Sequence, residues 1–453
     1  MRPLASPSRP WLVRGLVLVL VVALLAPTAV SAATHRPTDF RTGTVESPAN
    51  GTTVVSIQGF HWKGRDNRKK PSGLVAVTPR GTLDWRFNGT KRGANWYYDV
   101  DPLPNGNLLV LQTSPDETTT VFELDPDTHE VHWNQTFPIK DTHDIDLING
   151  DQLLVANMRN WDPETERNND RLFVYDRGTD EIVWEWRFRD RYPTSEGGPL
   201  REDWTHVNDV DKIGEGRYMA SVRNFDQVIV VDRETGAITQ RLGSENAYDV
   251  LYEQHNPTYL MSDAGRPTIL VADSENDRIL EYERRDGEWV RTWKLEGGLS
   301  WPRDADRLPN GNTLVVDSLN HRVIEVTPQG RIVWEVYAPW GPYDAERVPY
   351  GDEPAGPTIR DLGATGNHTI TNSAGLEVGT GSQQSFSQWL GAMAAGTPIE
   401  AQAEGFAARW AHVVPWVVPV WMDGWDAVRT LVAIVVLVGW VASEAVVRRR
   451  RPG

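Results

Sequence analysis

Residues 99–112 read DVDPLPNGNLLVLQ, and the pattern of this stretch returns at three later places in the chain. DIDLINGDQLLVANM begins at Asp144, DVDKIGEGRYMASV at Asp209 and DADRLPNGNTLVVD at Asp304. Each copy has an Asp-x-Asp pair, a short apolar stretch, a glycine-containing turn and an alternating apolar strand. Because Asn and Gly accept a positive φ, these turns predict tight β-hairpins. Repetition of this kind indicates a repeat architecture.

A third strand follows each copy and ends at a turn that leads into a fourth, as in LFVYDRGTDEIVWEW (172–186) and VIVVDRETGAITQ (228–240). Two looser units, one near the start and one from residue 255, bring the count to six. Their spacing brackets the roughly 40–50 residues of a four-stranded propeller blade. The sequence therefore predicts an all-β fold, a six-bladed β-propeller over residues 45–340. We interpret the many Trp residues as packing between blades.

Three histidines stand at the starts of successive repeats: His143 in THDIDL, His206 in WTHVNDVD and His255 in EQHNPTYL. A propeller brings the first strand of every blade to one central axis, so these side chains should meet in one channel. Arg223 ends the strand that returns beside His206 and should lie next to it. A channel of imidazoles with one guanidinium is suited to holding an anion and to nucleophilic chemistry.

Alignment on the Asp-x-Asp pair adds further candidates for substrate binding. It places Tyr98, His143, Asn208 and Arg303 at one equivalent position, just before the acidic pair. Trp96, His206 and Trp301 are equivalent two residues earlier, and a period of two puts both positions on the same side of the strand. We therefore expect Tyr98, Asn208 and Arg303 to line the channel mouth with the histidines.

Both ends of the chain are apolar. Residues 1–33 predict a secretory signal peptide with an A-x-A-like site at Val30-Ser31-Ala32, or alternatively an uncleaved anchor. Residues 427–447 are long enough to span a bilayer, and the basic tail 448–453 predicts a cytoplasmic C-terminus. The Trp-rich segment 406–425 is expected at the membrane interface. Residues 341–405, rich in Gly, Pro and Ser, either help to close the ring or link it to the membrane. These patterns predict a membrane-anchored protein whose propeller is extracytoplasmic.

The composition excludes several functions. Asp plus Glu number 62 against 46 Lys plus Arg, a net charge of −16, so nucleic acid is not an expected partner. This acidic, lysine-poor balance resembles that of proteins adapted to high salt. The chain contains no Cys, which excludes disulfides, thiolate metal sites and Cys nucleophiles.

The units WTHVNDVD, SVRNF and EQHNPTYL, with THDIDL upstream, resemble the PAPS-independent arylsulfate sulfotransferases over about residues 95–340. The resemblance implies a six-bladed propeller that moves a sulfuryl group from an aryl sulfate donor to a phenolic acceptor through a sulfohistidine, without metal or other cofactor. It assigns the nucleophile to His255, and sulfate positioning or leaving-group stabilisation to His143, His206 and Arg223. Bacterial members carry an N-terminal sandwich domain and a disulfide that are not found in this sequence, which is instead anchored by a C-terminal span. The blades are also shorter than in those members, so the substrate rim is expected to differ.

Other interpretations remain open from the sequence. A single buried histidine is often only a hydrogen-bonded core residue. Three histidines could bind zinc, and the Asp-x-Asp pairs could bind calcium, although their repetition favours a structural role. The DRETG and DRGTDEIVW turns resemble those of quinone-binding propellers, which usually have more blades. A non-catalytic cell-surface propeller, serving as a scaffold or a ligand-binding module, is therefore the alternative to an enzyme.

Overall fold

The computed structural model describes residues 9–34, 40–61, 68–89, 94, 96–198, 200–377, 381–382 and 385–449. The chain divides into two compact units. One contains residues 39–374, and the other contains residues 1–38 together with 375–453.

The larger unit is built almost entirely of short strands. In chain order these are β1 (Arg41–Val45), β2 (Thr53–Ile57), β3 (Phe60–His61), β4 (Arg68–Lys70), β5 (Gly73–Val77), β6 (Leu83–Asn88), β7 (Trp96–Pro102), β8 (Leu108–Thr113), β9 (Thr119–Leu124), β10 (Val131–Phe137), β11 (Ile145–Ile148), β12 (Gln152–Asn157), β13 (Trp161–Asp162), β14 (Arg167–Asn168), β15 (Arg171–Asp176), β16 (Glu181–Arg187), β17 (Val207–Gly214), β18 (Arg217–Val222), β19 (Gln227–Asp232), β20 (Ile238–Gly243), β21 (His255–Met261), β22 (Pro267–Asp273), β23 (Arg278–Arg285), β24 (Glu288–Glu296), β25 (Pro302–Arg307), β26 (Thr313–Asp317), β27 (Arg322–Val326), β28 (Ile332–Tyr337), β29 (Pro342–Arg347) and β30 (Gly366–Thr369).

These strands form six antiparallel blades, which confirms the predicted six-bladed propeller. Blades two to six begin with β7, β11, β17, β21 and β25 as their innermost strands. The predicted hairpin turns are present, and Gly106, Gly150 and Gly311 adopt φ values of 90°, 86° and 86°. An L-residue rarely adopts this conformation, so glycine is required at these turns.

The ring is closed by strands from both ends of the unit. Blade one takes its innermost strand, β29, from the C-terminal side and its other three, β2, β5 and β6, from the N-terminal side. The predicted propeller boundary at residue 340 therefore falls before the strand that closes the ring. In addition, β1 pairs with β28 on the outside of blade six, and β30 runs parallel to β24 on the outside of blade five.

Tryptophans on the fourth strands join neighbouring blades. The indole N–H groups of Trp186, Trp293 and Trp334 donate to carbonyl oxygens in the next blade, at 2.9, 2.9 and 3.1 Å. In each case the acceptor is in or beside the turn between the third and fourth strands. This arrangement satisfies the indole donor while its ring is buried, and it agrees with the interpretation of the Trp residues as packing between blades.

The Asp-x-Asp pairs also join blades. Each blade except blade five has an acidic pair at its innermost strand, and in blades one, two and three a carboxylate of the pair accepts a backbone N–H bond from the innermost strand of the next blade. Val100 N donates to Asp344 at 3.0 Å, and Lys212 N donates to Asp146 at 3.1 Å. Within the described residues, no group of three or more His, Asp or Glu side chains is arranged to hold a metal ion. The inter-blade hydrogen bonds support the structural role that repetition of the pairs favours.

The crowded carboxyl groups should make stability depend on pH. Burial raises the pKa of Asp144 to about 7, of Asp146 to about 6 and of Asp352 to about 8. The unfolded value is about 4, so the folded protein binds extra protons and loses stability as pH rises through 6 to 8. Burial lowers the pKa of His206 to about 3, and this shift changes the stability only at a pH below the unfolded pKa of about 6.5.

We therefore expect the melting temperature to fall by about 5 °C between pH 6.5 and 8.5, since 1 kcal/mol changes it by a few degrees. Differential scanning calorimetry at constant ionic strength measures the fall, and Asp352→Asn should reduce it. A melting temperature that stays constant over this range would show that these carboxyl groups are already ionised in the folded protein at pH 6.5.

The smaller unit contains four helices, α1 (Arg9–Thr34), α2 (Phe386–Ala394), α3 (Glu400–Val417) and α4 (Gly424–Arg449). Within the described residues, Trp11–Thr34 and Gly424–Val447 are long and apolar enough to cross a membrane. The predicted span 427–447 lies inside α4, and most of the predicted interfacial segment 406–425 lies on α3. Of the predicted basic tail, residues 450–453 lie outside the described part of the chain.

Candidate active site in the propeller channel

Six residues, one from each blade, occupy the position immediately before the acidic pair or its equivalent. In blade five the equivalent of the pair is Asn256 and Thr258. We call these six residues the site ring: Tyr98, His143, Asn208, His255, Arg303 and Tyr343. The register of the innermost strand shifts at or beside this position in five blades. A β-bulge of this kind re-aims a side chain, and bulges are frequent next to active sites.

The backbone is strained two residues before the site ring. Asp141, His206, Glu253 and Trp301 all have positive φ values, of 51°, 44°, 49° and 51°. Non-glycine residues adopt this region only where the surrounding structure holds them there, and such strain gathers at functional sites. Four blades thus have a strained backbone at the equivalent position. His206 occupies this position in blade four, so its strained backbone sets the direction of its side chain.

The residues predicted to meet in the channel do lie together. The ring centroids of His143 and His206 are 5.1 Å apart, and those of His143 and Tyr98 are 3.9 Å apart. Tyr343 connects these residues to His255 and Arg303. Its ring centroid lies 6.0 Å from that of His255 and 4.5 Å from the Arg303 guanidinium. All of these side chains are buried.

Tyr343 is the site-ring residue that the sequence analysis missed. Its sequence YDAE matches the YDVD that begins at Tyr98, so the same alignment could have found it. It was not considered because it lies beyond residue 340, where the propeller was expected to end.

The hydrogen bonds of His255 define its tautomer. Its Nδ1 lies 3.1 Å from the carbonyl oxygen of Glu253 and 2.8 Å from Oγ of Ser274. The Ser274 hydroxyl donates to the carbonyl oxygen of Pro302 at 2.7 Å, so toward His255 it can only accept. Both neighbours of Nδ1 are therefore acceptors, and Nδ1 must carry the proton. Nε2 of His255 then has a free lone pair.

His206 has a different partner. Its Nδ1 lies 2.8 Å from Oδ1 of Asp203, and interaction with His206 and Arg159 holds the pKa of Asp203 well below its usual range despite burial. An ionised Asp203 accepts a hydrogen bond from Nδ1–H of His206, which leaves the lone pair of the neutral imidazole on Nε2. The carboxylate would also stabilise an imidazolium that forms at His206, so this pair can accept and return a proton.

His143 has the opposite tautomer. The Tyr343 hydroxyl lies 2.8 Å from Nδ1 of His143, and burial raises the pKa of Tyr343, so the phenol remains a donor. Nε2 of His143 lies 3.7 Å from Oδ1 of Asp141, which also accepts from the Tyr98 hydroxyl at 2.8 Å. Nδ1 is therefore an acceptor, and Nε2 carries a proton that it can donate.

All three site histidines are expected to be neutral near pH 7. Burial lowers the pKa of His143, His206 and His255, and for His255 the positive charges of Arg303 and Arg223 lower it further. A neutral imidazole with a free lone pair is a nucleophile, whereas an imidazolium is not. The site thus keeps His255 in its reactive form.

The two arginines of the site differ in their partners. Arg223, which begins the 3₁₀ turn Arg223–Phe225, forms an ion pair with the carboxylate of Glu253 and donates to Asn224. Its charge is compensated within the protein. Since Glu253 also supplies the carbonyl oxygen that accepts from His255, Arg223 helps to position His255.

Arg303 is buried without a compensating charge. Its guanidinium lies between the rings of Trp301 and Tyr343, at 4.4 and 4.5 Å, and it donates to the Gln58 amide at 2.7 Å. Among the residues the structure describes, no carboxylate forms an ion pair with it, and burial lowers its pKa. A buried cation of this kind is costly unless an anion accompanies it. An anion bound beside Arg303 would offset this cost.

Asn208 is a tether between blades. Its side-chain amide donates to the carbonyl oxygen of Gln254 at 2.9 Å, directly before His255. Its buried Oδ1 has no hydrogen-bond partner among the residues that the structure describes. Asn208 thus holds the backbone next to His255, and its N–H donor is already used in this hydrogen bond.

Comparison with known proteins gives one family and several distant folds. No curated protein matches. Solved structures that resemble the chain include a protein of unknown function from Bacteroides caccae (13% identity, TM-score 0.43, 64% of this chain and 93% of that one). Others are a putative 6-phosphogluconolactonase from Bacteroides fragilis (12%, 0.42, 66% and 99%) and virginiamycin B lyase from Staphylococcus aureus (10%, 0.40, 66% and 89%). Likenesses at this level carry no functional argument.

The family model described as Arylsulfotransferase (ASST) matches residues 58–264. The matched part contains His143, His206, Arg223 and His255, whereas Arg303 and Tyr343 lie outside it. The resemblance recognised in the sequence is therefore confirmed over residues 58–264, where this chain matches the arylsulfotransferase family model.

Proposed function

We propose that the protein transfers a sulfuryl group from an aryl sulfate to a phenol through a covalent intermediate on His255. The observation that carries the proposal is the pairing of two features in one buried channel. Arg303 needs an anion, and the neighbouring His255 is a neutral nucleophile with its lone pair on Nε2. A sulfate ester supplies both the negative charge and the electrophilic sulfur.

In the first half-reaction, Nε2 of His255 attacks sulfur, the N–S bond forms and the bond from sulfur to the aryl oxygen breaks. The ring of His255 becomes positively charged while the aryl oxygen leaves as a phenolate. The Nδ1–H bonds to Glu253 and Ser274 grow stronger as this charge develops, which stabilises the transition state more than the ground state. Arg303 and the Nε2–H of His143 are donors for the sulfate oxygens.

In the second half-reaction, a phenol takes the place of the leaving group. His206 accepts the phenol proton on Nε2, supported by Asp203, while the phenol oxygen bonds to sulfur and the N–S bond breaks. The proton held by His206 is then returned to the next leaving phenolate. Trp96, which stacks on Tyr98 at 6.0 Å, and Trp301 offer flat surfaces for the aryl groups.

We further propose that the enzyme acts at a membrane, with the propeller on the extracytoplasmic side and the C-terminus in the cytoplasm. Two apolar helices could span a bilayer, and arginines follow or precede both apolar runs in the sequence. The physiological donor would then be a small aryl sulfate that reaches the cell surface.

The test is to supply 4-nitrophenyl sulfate without and with a phenol acceptor, in low-salt and in high-salt buffer. Donor alone should release one equivalent of nitrophenol in a burst and then stop, because the enzyme stays sulfurylated. Addition of the acceptor should restore turnover and yield the sulfated acceptor. The absence of any release in both buffers would contradict the proposal and favour a non-catalytic propeller.

A further inference from the structure

The two apolar helices of the smaller unit pack against each other in antiparallel directions. Residues near the start of α1 contact residues near the end of α4, and residues near the end of α1 contact the start of α4. Each contact is polar and joins a residue near one end of the chain to a residue near the other end. Polar side chains within membrane spans are rare and usually pair with one another.

The first contact is an ion pair. Nε and Nη2 of Arg14 donate to the two carboxylate oxygens of Glu444, at 2.8 and 2.6 Å. This fork geometry is the strong, bidentate form of an arginine–carboxylate pair. Arg14 therefore supplies Glu444 with a counter-charge from the other helix.

The second contact lies near the other end of the helix pair. The Thr28 hydroxyl donates to Oδ1 of Asp426 at 3.0 Å, and both side chains are buried. Arg429 approaches the same Asp426 oxygen at 3.2 Å from within α4. Together the two contacts fix the register of α1 against α4 over more than three turns.

These contacts bear on the predicted signal peptide. Cleavage after Ala32 would remove Arg14 and Thr28 together. Glu444 would lose the counter-charge that α1 supplies, and removing one partner of an ion pair within a membrane span is destabilising. We propose that α1 is retained as a transmembrane helix that pairs with α4, with Arg14–Glu444 and Thr28–Asp426 as its contacts. A chain with two spans has both termini on one side of the membrane and the segment between the spans on the other side.

A cysteine pair tests the proposal directly, because the chain has no native Cys. Thr28→Cys with Asp426→Cys should form an intramolecular disulfide in the full-length membrane protein. Cyanogen bromide cuts at Met158 and Met422, which separates α1 and α4 into peptides 2–158 and 423–453. Without reductant the two peptides should migrate as one species, and with reductant as two. The intact mass should include residues 1–32.

The control pair is Val22→Cys with Val435→Cys, two exposed positions on the same helices, which should not form the disulfide within one chain. A mature mass that begins near residue 33, or a linkage no greater than in the control pair, would overturn the proposal. Because Asp426→Cys could disturb folding, a second measurement uses Arg14→Leu and Glu444→Leu. Each single change should at least halve the folded protein recovered from membranes, and the double change should restore it. Equal recovery of all three variants would also overturn it.

Discussion

Replacing His255 by asparagine is expected to abolish sulfuryl transfer, with a loss of at least about 10³-fold in turnover. Asparagine can keep a donor near Glu253 and Ser274 but offers no ring nitrogen with a lone pair. The covalent route is then closed, because no nitrogen lone pair at this position can attack the sulfur. With donor alone, the intact mass of the wild-type protein should increase by one sulfuryl group, and His255→Asn should show no increase.

The matched control is His321→Asn. His321 is another histidine of the propeller, stacked on Trp340 at 4.9 Å, and burial lowers its pKa as it does for the site histidines. It lies outside the site ring, so its variant should keep both the burst and the adduct. If His255→Asn retains the normal rate, or if the adduct forms on another residue, the nucleophile has been assigned wrongly.

The fold could be predicted because the information is local and repeated. Four stretches carry the acidic pair, the glycine turn and the alternating strand, and with the two looser units the six repeats leave few architectures open. Closure of the ring could not be predicted in the same way. It depends on β29 pairing with β2, a contact between the two ends of the unit, and no short-range pattern specifies such a pairing. The boundary at residue 340 and the omission of Tyr343 share this cause.

The sequence predicts which residues meet in the site, but it does not predict the role of each one. Alignment on the acidic pair found four of the six site-ring residues and the start of the fifth repeat gave His255, because equivalent positions in the repeats lie at the same level of the channel. The tautomers depend on Ser274, Asp203 and Tyr343, which come from three different blades. A sequence pattern names a histidine, whereas the partner of its second nitrogen decides whether it is a nucleophile, a base or a donor.

The same reasoning separates the two arginines, and it leads to the second large effect. Replacing Arg303 by lysine is expected to lower kcat/KM for aryl sulfates by about 10²–10³-fold, as loss of a preorganised donor does. Lysine keeps the charge but has neither the planar fork for two sulfate oxygens nor the flat surface that stacks between Trp301 and Tyr343. Binding of an aryl sulfonate, which mimics the donor but cannot transfer its group, should weaken in parallel.

Arg223→Lys is the matched comparison, since it makes the same chemical change in the same channel. Arg223 already pairs with Glu253, and a lysine can retain that pair, so we expect a smaller loss of kcat/KM and nearly unchanged sulfonate affinity. Calorimetric titration of both variants with the sulfonate measures the difference. If Arg223→Lys loses sulfonate affinity while Arg303→Lys keeps it, the anion is bound by Arg223. Arg303 would then be a structural cation held by Gln58 and the two aromatic rings. The expected opposite result would place the anion beside Arg303, which blade six contributes from outside the matched family region.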